Sequence, residues 1–250
     1  MAIPDLPTQK EVSAVSKGGL SYHIIGTVQQ TLVVDLVPEK HVYCDSGGMS
    51  WMTSTVDMNT GAGGQGGLAA LGGMFKRMIS GASAFLIDFS STSKGQVAFT
   101  TDFPGRIVPV ELDAGQSVIL HKHAFLAAEK TATLDIFFNK KLGAGLFGGE
   151  GFILQKLTGP GMVFAELDGD AIEYNLKPGE KMKIEPGHIA MFEETVSFDT
   201  EMISGITNML FGGEGLFLGT LTGPGRIWLH SMTESKVAAR LISHLPIKRE

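Results

Sequence analysis

Residues Leu146–Gly151 read LFGGEG and are followed by LTGPG at Leu157–Gly161. Both phrases return 64 residues further along the chain, at Leu210–Gly215 and Leu221–Gly225. Without gaps, residues 106–168 and 170–232 are identical at 17 of 63 positions, far more than unrelated sequences of this composition share. The chain therefore contains two copies of one unit, and such copies are expected to stack against each other.

A first, more diverged copy precedes these two. Its Asp35-Leu36 and Thr55-Val56-Asp57 correspond to Glu111-Leu112 and Thr133-Leu134-Asp135. Where the later copies carry LFGGEG, the first copy has a longer glycine-rich insertion. We predict a lead-in at 1–21, copies at 22–105, 106–169 and 170–232, and a tail at 233–250.

The pattern inside a copy is that of β-strands. In the third copy, Ile172, Tyr174 and Leu176 alternate with polar residues, and a period of two predicts strands with one face turned inward. Pro-Gly pairs begin at residues 104, 160, 178, 186 and 224. Such pairs are typical of turns, because proline presets φ and glycine accepts the positive φ that follows. The sequence therefore predicts an all-β fold, an antiparallel sandwich or barrel.

Helix is predicted in only two places. Leu68–Ser80, in the insertion of the first copy, has a partly helical spacing of apolar residues. Near the C-terminus, residues 234–244 are predicted to form a helix with Thr233 as its N-cap and Pro246 closing it.

The composition excludes several classes of protein. Hydrophobic residues make up 43% and charged residues 18%, so the chain is too apolar to be disordered. A net charge of −6 argues against broad binding to nucleic acid. The single cysteine, Cys44, excludes a disulfide within the chain and a multi-cysteine metal site, and we expect a small buried side chain. The first ten residues lack the apolar core of a secretory signal, so we expect a cytoplasmic protein.

The repeated phrases resemble the TRAP-like β family of uncharacterised proteins, which includes mitochondrial-biogenesis proteins named from altered inheritance of mitochondria. The resemblance covers residues 22–232. It implies tandem TRAP-like β-sandwich or double-stranded β-helix repeats assembled as a trimer, and it implies no established enzymatic activity. The second copy departs from the family pattern at His121-Lys122-His123, where the third has Glu185-Pro186-Gly187. We expect the second copy to lack the Pro-Gly turn there.

The two histidines of the second copy raise the possibility of a metal site. On a strand, residues i and i+2 share a face, so His121 and His123 could chelate one transition metal, as in cupins. Glu129 comes later than the glutamate of that motif, and it recurs as Glu193 in a copy without the histidines. A structural role is therefore favoured for Glu129. A cupin-like metal-dependent enzyme stays an alternative function, and we predict no metal ligand.

No other pattern indicates catalysis. LFGGEG lacks the lysine and Ser/Thr of a phosphate-binding loop, and the sequence contains no G-x-S-x-G. The carboxylates of Glu193-Glu194 and of Asp168 and Asp170 are interpreted as solvated surface. We therefore predict no catalytic residue and no cofactor.

The glycine-rich connections form the remaining feature that repeats. They lie at Leu68–Ile79, Leu142–Phe147 and Ile206–Phe211, where each could be core or an exposed apolar patch. If exposed, they would contact other subunits, a hydrophobic protein or a membrane surface. We predict a non-catalytic oligomeric scaffold or binding protein, a homotrimer. A second alternative is a TRAP-like ring that binds RNA or a small effector. Nucleic acid is not predicted as a partner, because only Lys130, Lys140 and Lys141 cluster.

Overall fold

The structure is a computed structural model that describes residues 11–61, 86–140, 152–203 and 216–244. The glycine-rich connections and the predicted helix at Leu68–Ser80 lie outside these ranges. The described residues form twenty strands, two short 3₁₀ turns and one α-helix. The prediction of an all-β fold is confirmed.

The strands follow one another closely along the chain. Two strands come first, β1 (Glu11–Val15) and β2 (Ser21–Ile25). The first copy contributes β3 (Thr31–Leu36), β4 (Val42–Asp45), β5 (Trp51–Met52), β6 (Val56–Gly61), β7 (Leu86–Ser91) and β8 (Gly95–Thr100). The second contributes β9 (Gly105–Leu112), β10 (Ser117–His121), β11 (Phe125–Glu129), β12 (Thr133–Lys140), β13 (Phe152–Thr158) and β14 (Gly161–Asp168). The third contributes β15 (Ala171–Leu176), β16 (Lys181–Ile184), β17 (Ile189–Glu193), β18 (Ser197–Ile203), β19 (Leu216–Thr222) and β20 (Gly225–His230).

The second and third copies share their elements at an offset of 64. The 3₁₀ turn Lys122–Ala124 follows β10, and the turn Pro186–His188 follows β16. The second copy therefore has no Pro-Gly turn at this point, as expected, and makes a 3₁₀ turn of other residues instead, because a single 3₁₀ turn does not require proline or a positive φ. The boundaries assigned to the copies stay a prediction.

Each copy pairs its strands in the same way. Its first, sixth and third strands form one set, as in β9-β14-β11, and its fourth, fifth and second strands form another, as in β12-β13-β10. Neighbouring copies join through antiparallel pairing of β4 with β11 and of β10 with β17.

These joints produce four sheets in sequence. Sheet 1 has the order β1-β2-β3-β8-β5 and sheet 2 the order β6-β7-β4-β11-β14-β9. Sheet 3 has the order β12-β13-β10-β17-β20-β15 and sheet 4 the order β16-β19-β18. Sheets 2 and 3 are therefore shared between two copies.

Three apolar cores lie between the four sheets, one between each sheet and the next. The first combines Val34 and Phe99 of sheet 1 with Phe164 of sheet 2. In the second core, sheet 2 meets sheet 3, and in the third, sheet 3 meets sheet 4. Adjacent residues of β10 serve different cores, since Leu120 belongs to the second and Ile119 to the third. This explains continuous apolar runs such as VIL in β10, because a strand buried on both faces does not alternate.

One strand at the edge of a sheet does not bury the apolar face that the sequence predicted. Ile172 and Tyr174 are exposed to 40% and 45%, whereas Leu176 is 3% exposed. They lie on β15, which among the described strands pairs only with β20. The inward face predicted from their spacing is therefore wrong for the first half of this strand, because tertiary packing decides which face is covered.

The C-terminal helix, α1 (Glu234–Ile242), is close to the predicted one. Thr233 caps it, and its side chain accepts a hydrogen bond from the Lys236 amide at 3.4 Å. Pro246 lies outside the described residues. Among the residues that the structure covers, no helix combines the length and apolarity needed to span a membrane.

A glycine at the start of the last strand of each copy packs against a threonine. A Cβ atom on Gly95, Gly161 or Gly225 would lie 2.8, 2.5 and 2.5 Å from the Oγ1 of Thr55, Thr131 and Thr195, respectively. Gly161 and Gly225 also have φ values of +141° and +139°. Gly161 and Gly225 therefore combine a close approach with a backbone conformation that favours glycine, whereas Gly95 shows the close approach alone.

We expect Gly161→Ala to lower the free energy of unfolding by about 1–3 kcal/mol, because it adds a clash to backbone strain. Gly115→Ala is the matched control, since Gly115 has φ +81° but open space around its Cβ position. Urea denaturation should show the larger loss for Gly161→Ala. Equal losses of unfolding free energy in the two variants would mean that the close contact with Thr131 does not add to the destabilisation.

Candidate functional site

A cavity of about 300 Å³ lies between the first and second copies. The segment after β4 and the end of β8 line one side, and the 3₁₀ turn with β11 and β14 lines the other. The polar lining residues are Asp45, Ser46, Thr100, Asp102, Lys122, His123 and Glu166. The cavity exists because two copies meet, so neither copy alone could form it.

Glu166 is the buried acid of this cavity. It lies on β14, is only 7% exposed, and its Oε2 accepts a hydrogen bond from the Asp102 amide at 2.9 Å. Burial raises the pKa of Glu166 to about 8, since desolvation penalises the carboxylate more than that one hydrogen bond stabilises it. At neutral pH the side chain is therefore mostly a protonated acid and a hydrogen-bond donor.

Two basic side chains of the 3₁₀ turn face the same region. Burial lowers the pKa of both Lys122 and His123. His123 Nδ1 lies 3.3 Å from Glu234 Oε1, in the first turn of α1. The C-terminal helix thus places its acidic end beside the cavity.

A buried polar chain continues from this site into the third copy. The Asp168 amide donates to His230 Nδ1 at 2.8 Å, and His188 Nδ1 lies 2.7 Å from the His230 carbonyl oxygen. Burial lowers the pKa of His230 to about 4 and raises that of Asp168 to about 6. Because its Nδ1 accepts a hydrogen bond, His230 is held as the neutral tautomer with its proton on Nε2.

The histidines singled out in the sequence lie together but not on one strand. His121 ends β10, whereas His123 belongs to the following turn. Their rings stack at a centroid distance of 5.2 Å, and His121 also stacks on Phe152 at 5.1 Å. Burial holds the pKa of His121 well below its ordinary value. The assignment of both histidines to one strand is therefore wrong, and the described residues contain no group of three or more possible ligands that could hold a metal ion.

The two recurring glutamates hold backbone groups. Glu129 is 4% exposed, and its Oε2 accepts from the Met162 amide at 3.2 Å. Its counterpart Glu193 accepts from the amide of Arg226 at 2.9 Å and from its Nε at 2.8 Å. Both amides follow a glycine that begins the last strand of a copy, so the role is structural in both.

Other sequence predictions have mixed outcomes. Cys44 is buried, as expected, and burial raises the pKa of its thiol to about 12. Asp168 is only 9% exposed, so its assignment to solvated surface is wrong. Lys130 forms an ion pair with Asp88 at 2.7 Å. Lys141 lies outside the described residues.

Sequence reasoning missed Glu166, Asp168 and His230. One signal was present, because Glu166 and Asp168 interrupt the apolar run of β14 and Glu166 aligns with His230 at the offset of 64. A polar residue repeated within a buried strand points to a buried hydrogen bond. Its closeness to Asp102 and Lys122 could not be predicted, since those residues come from other parts of the chain.

The fold and the cavity define the class of this protein. It is an all-β protein in which neighbouring copies share sheets, and a polar cavity lies between two of the copies. The family model for mitochondrial biogenesis AIM24 matches residues 22–232, and this chain belongs to that family. An uncharacterised protein of Streptococcus pyogenes serotype M6 is 31% identical over 243 residues, which cover 96% of each chain. A structural-genomics crystal structure of a Streptococcus pyogenes protein superposes with a TM-score of 0.71 at 24% identity, covering 94% of this chain and 100% of that one. The last match shows the fold alone. No specific function or enzymatic role is established by these relatives.

We expect the stabilising contribution of Glu166 to fall as pH rises from about 4.5 to about 8. The folded protein keeps a proton on Glu166 over this range, whereas the unfolded chain, with the ordinary value of 4.5, releases it. Glu166→Gln should remove a few kcal/mol of this pH dependence, because the amide cannot ionise. Asp168 acts in the same direction up to about pH 6. The lowered pKa values of His121, His123 and His230 act in the opposite direction below the ordinary 6.5, so the difference between variant and parent, rather than the slope of the parent alone, isolates Glu166.

Chemical denaturation of the parent and variant between pH 5 and 8 measures this difference. Glu39→Gln is the control, since Glu39 is exposed, and it should keep the slope of the parent. An unchanged slope in Glu166→Gln would show that Glu166 ionises normally.

Proposed function

We propose that this protein is a non-catalytic homo-oligomeric scaffold, assembled as a trimer. The observation that carries this proposal is the way the stack of sheets ends. Among the described strands, sheets 2 and 3 are each completed by a second copy, whereas sheets 1 and 4 are not. The described part of the chain therefore carries two incomplete ends of a structure that it completes twice internally.

Four polar groups that the sequence singled out support a non-catalytic role. Glu129 and Glu193 are engaged by backbone amides, and the raised pKa of Cys44 keeps its thiol protonated and poorly nucleophilic. The ring stacking of His121 against Phe152 favours packing over ligation. The cupin-like enzyme is therefore the weaker reading of these histidines.

Two further parts of the proposal rest on the sequence. The glycine-rich connections each lie between two strands that pair with each other, β6 with β7, β12 with β13 and β18 with β19. Their repetition supports contact with a hydrophobic protein or a membrane surface. Nucleic acid is not a proposed partner, since the net charge is −6. The cytoplasmic location stays part of this proposal.

Light scattering coupled to size exclusion tests the assembly. We expect a mass near three times that of the 26.6 kDa chain at micromolar concentration. A mass equal to one chain would contradict the proposal.

Trp51→Glu should shift this mass toward a single chain. Trp51, Ala127 and Met191 are equivalent, because each lies opposite the fourth residue of the last strand of its copy. Trp51 is 55% exposed, whereas Ala127 and Met191 are fully buried in strands that pair with the preceding copy, so a charge at this position should be excluded from an interface. Because Trp51 is exposed in one chain, we expect little loss of stability. Tyr174→Glu, on sheet 3 and 45% exposed, is the matched control and should stay assembled. Retained assembly in Trp51→Glu would place the interface elsewhere.

A second candidate function, binding of a small effector, rests on the cavity beside Glu166. The ammonium of Lys122 and the carboxyl groups of Asp45 and Asp102 line this same cavity, which suits a small ligand that carries both a positive and a negative charge. Native mass spectrometry of the purified protein should show a bound small molecule, and Lys122→Met should lose it. The same added mass on both proteins, or no added mass on either, would count against this function.

A further inference from the structure

The cavity between the first and second copies has more acidic than basic groups in its lining. The carboxyl groups are those of Asp45, Asp102 and Glu166. The basic residues of the described lining are Lys122 and His123. Burial lowers the pKa of His123 below its ordinary 6.5, so its imidazole is mostly neutral at neutral pH. Such a lining favours a ligand that brings a positive charge.

The positive charge of Lys122 is balanced by carboxylates other than Glu166 and Asp102. Burial lowers the pKa of Lys122, and Asp45 and Glu234 act against this shift, because a nearby carboxylate stabilises an ammonium group. Among the described residues, no basic side chain forms an ion pair with Asp102 or Glu166. These two carboxyl groups therefore lie on the cavity without a positive partner.

Glu166 offers a hydrogen-bonding atom that the fold does not use. The residue is only 7% exposed, yet it lines the cavity. Its Oε2 accepts a hydrogen bond from the Asp102 amide, whereas its Oε1 has no hydrogen-bond partner among the described residues. Buried polar atoms are almost always hydrogen-bonded, and leaving one unpaired costs free energy. A donor placed in the cavity beside Oε1 would therefore be bound favourably.

The electrostatic field at Glu166 favours a cation as that donor. Burial raises its pKa to about 8, and the carboxylates of Asp102, Asp168 and Glu234 raise it further. They come from three places, the segment after β8, strand β14 and helix α1. The negative field that keeps a proton on Glu166 equally favours an ammonium group beside it, because both carry a positive charge.

An apolar surface adjoins these acids. Phe125 and Leu126, at the start of β11, are 5% and 3% exposed and line the same cavity. A short alkyl stem would leave water against these side chains, which is favourable. A cavity of about 300 Å³ is at the small end of ligand pockets, so it suits a short chain.

We propose that the cavity binds a small aliphatic amine, whose ammonium group contacts Glu166 Oε1 and the Asp102 carboxylate while its stem lies against Phe125. This inference rests on the second candidate function, binding of a small effector, and names the group by which the effector is held. An anionic group elsewhere on the ligand would turn toward Lys122. On binding, Glu166 loses its proton to solvent and the amine keeps its own, so that a carboxylate–ammonium pair remains.

Isothermal titration calorimetry of the dialysed full chain with butylammonium chloride tests the proposal. Titrations at about pH 7 in two buffers of different protonation enthalpy measure how many protons are released per bound amine. We expect close to one proton, since Glu166 with a pKa of about 8 is mostly protonated at that pH. Binding should tighten about tenfold between about pH 7 and pH 9, as that proton ceases to compete. Butan-1-ol and butanoate, which lack the ammonium group, should not bind.

Glu166→Gln separates ionisation from structure. Its amide oxygen can still accept the hydrogen bond of the Asp102 amide, but the side chain cannot ionise. We expect no proton release in this variant, and an affinity for butylammonium at about pH 9 that is lower by about tenfold or more. Titration of Lys122 affects parent and variant alike, and Asp168 titrates near pH 6. Glu39→Gln, which changes an exposed carboxylate outside the cavity, should bind as the parent does.

The outcomes distinguish this inference from the function on which it rests. Binding of butanoate or butan-1-ol as tight as that of the amine, or binding of the amine without proton release, would overturn the inference. A copurified molecule that Lys122→Met loses, with no binding of butylammonium to the parent, would overturn recognition of the ammonium and leave the effector function standing. Absence of both would overturn both. If Glu166→Gln does not fold, the proton release and pH dependence of the parent decide the question.

Discussion

Strand pairing between copies is the interaction on which the rest of this structure depends. Strands β4 and β10 are each paired along both edges, once within their own copy and once with the next. They are also packed on both faces, so that Tyr43 and Cys44, or Leu120 and Ile119, contribute to different cores. A copy separated from its neighbours would expose both an edge and an apolar face. Each fully buried large side chain at these joints stabilises the fold by roughly 1.5–3 kcal/mol.

The same joints create the polar features of the molecule. Glu166 and His230 occupy equivalent positions on the last strands of the second and third copies, and both are buried with strongly shifted pKa values. Each is held by a backbone hydrogen bond, from Asp102 and Asp168 respectively. A buried polar group costs stability unless it is hydrogen-bonded. The hydrogen bonds from the Asp102 and Asp168 amides therefore offset part of the cost of burying Glu166 and His230. The cavity beside Glu166 is one consequence, because the copies do not fill the space between them completely.

Much of the architecture was predictable. The repeated LFGGEG and LTGPG phrases located the copies, the Pro-Gly pairs marked turns, and Thr233 marked the start of α1. The candidate site was not predictable to the same extent. The assignment of His121 and His123 to one strand face failed because a 3₁₀ turn begins after His121, and the solvated role of Asp168 failed because the third copy covers it. Local patterns report periodicity and turn chemistry, whereas burial depends on residues distant in sequence.

The sequence by itself determined that the chain is all-β, that a unit of 64 residues recurs, and that Cys44 is a small buried side chain. These features follow from local rules, such as glycine at a positive φ and apolar residues on strands. Only the tertiary structure decided that neighbouring copies share sheets and that Glu166 lies buried beside Asp102. The physical reason is that the edge of a strand carries the same backbone groups whatever its side chains are, so which edges meet depends on how whole copies pack.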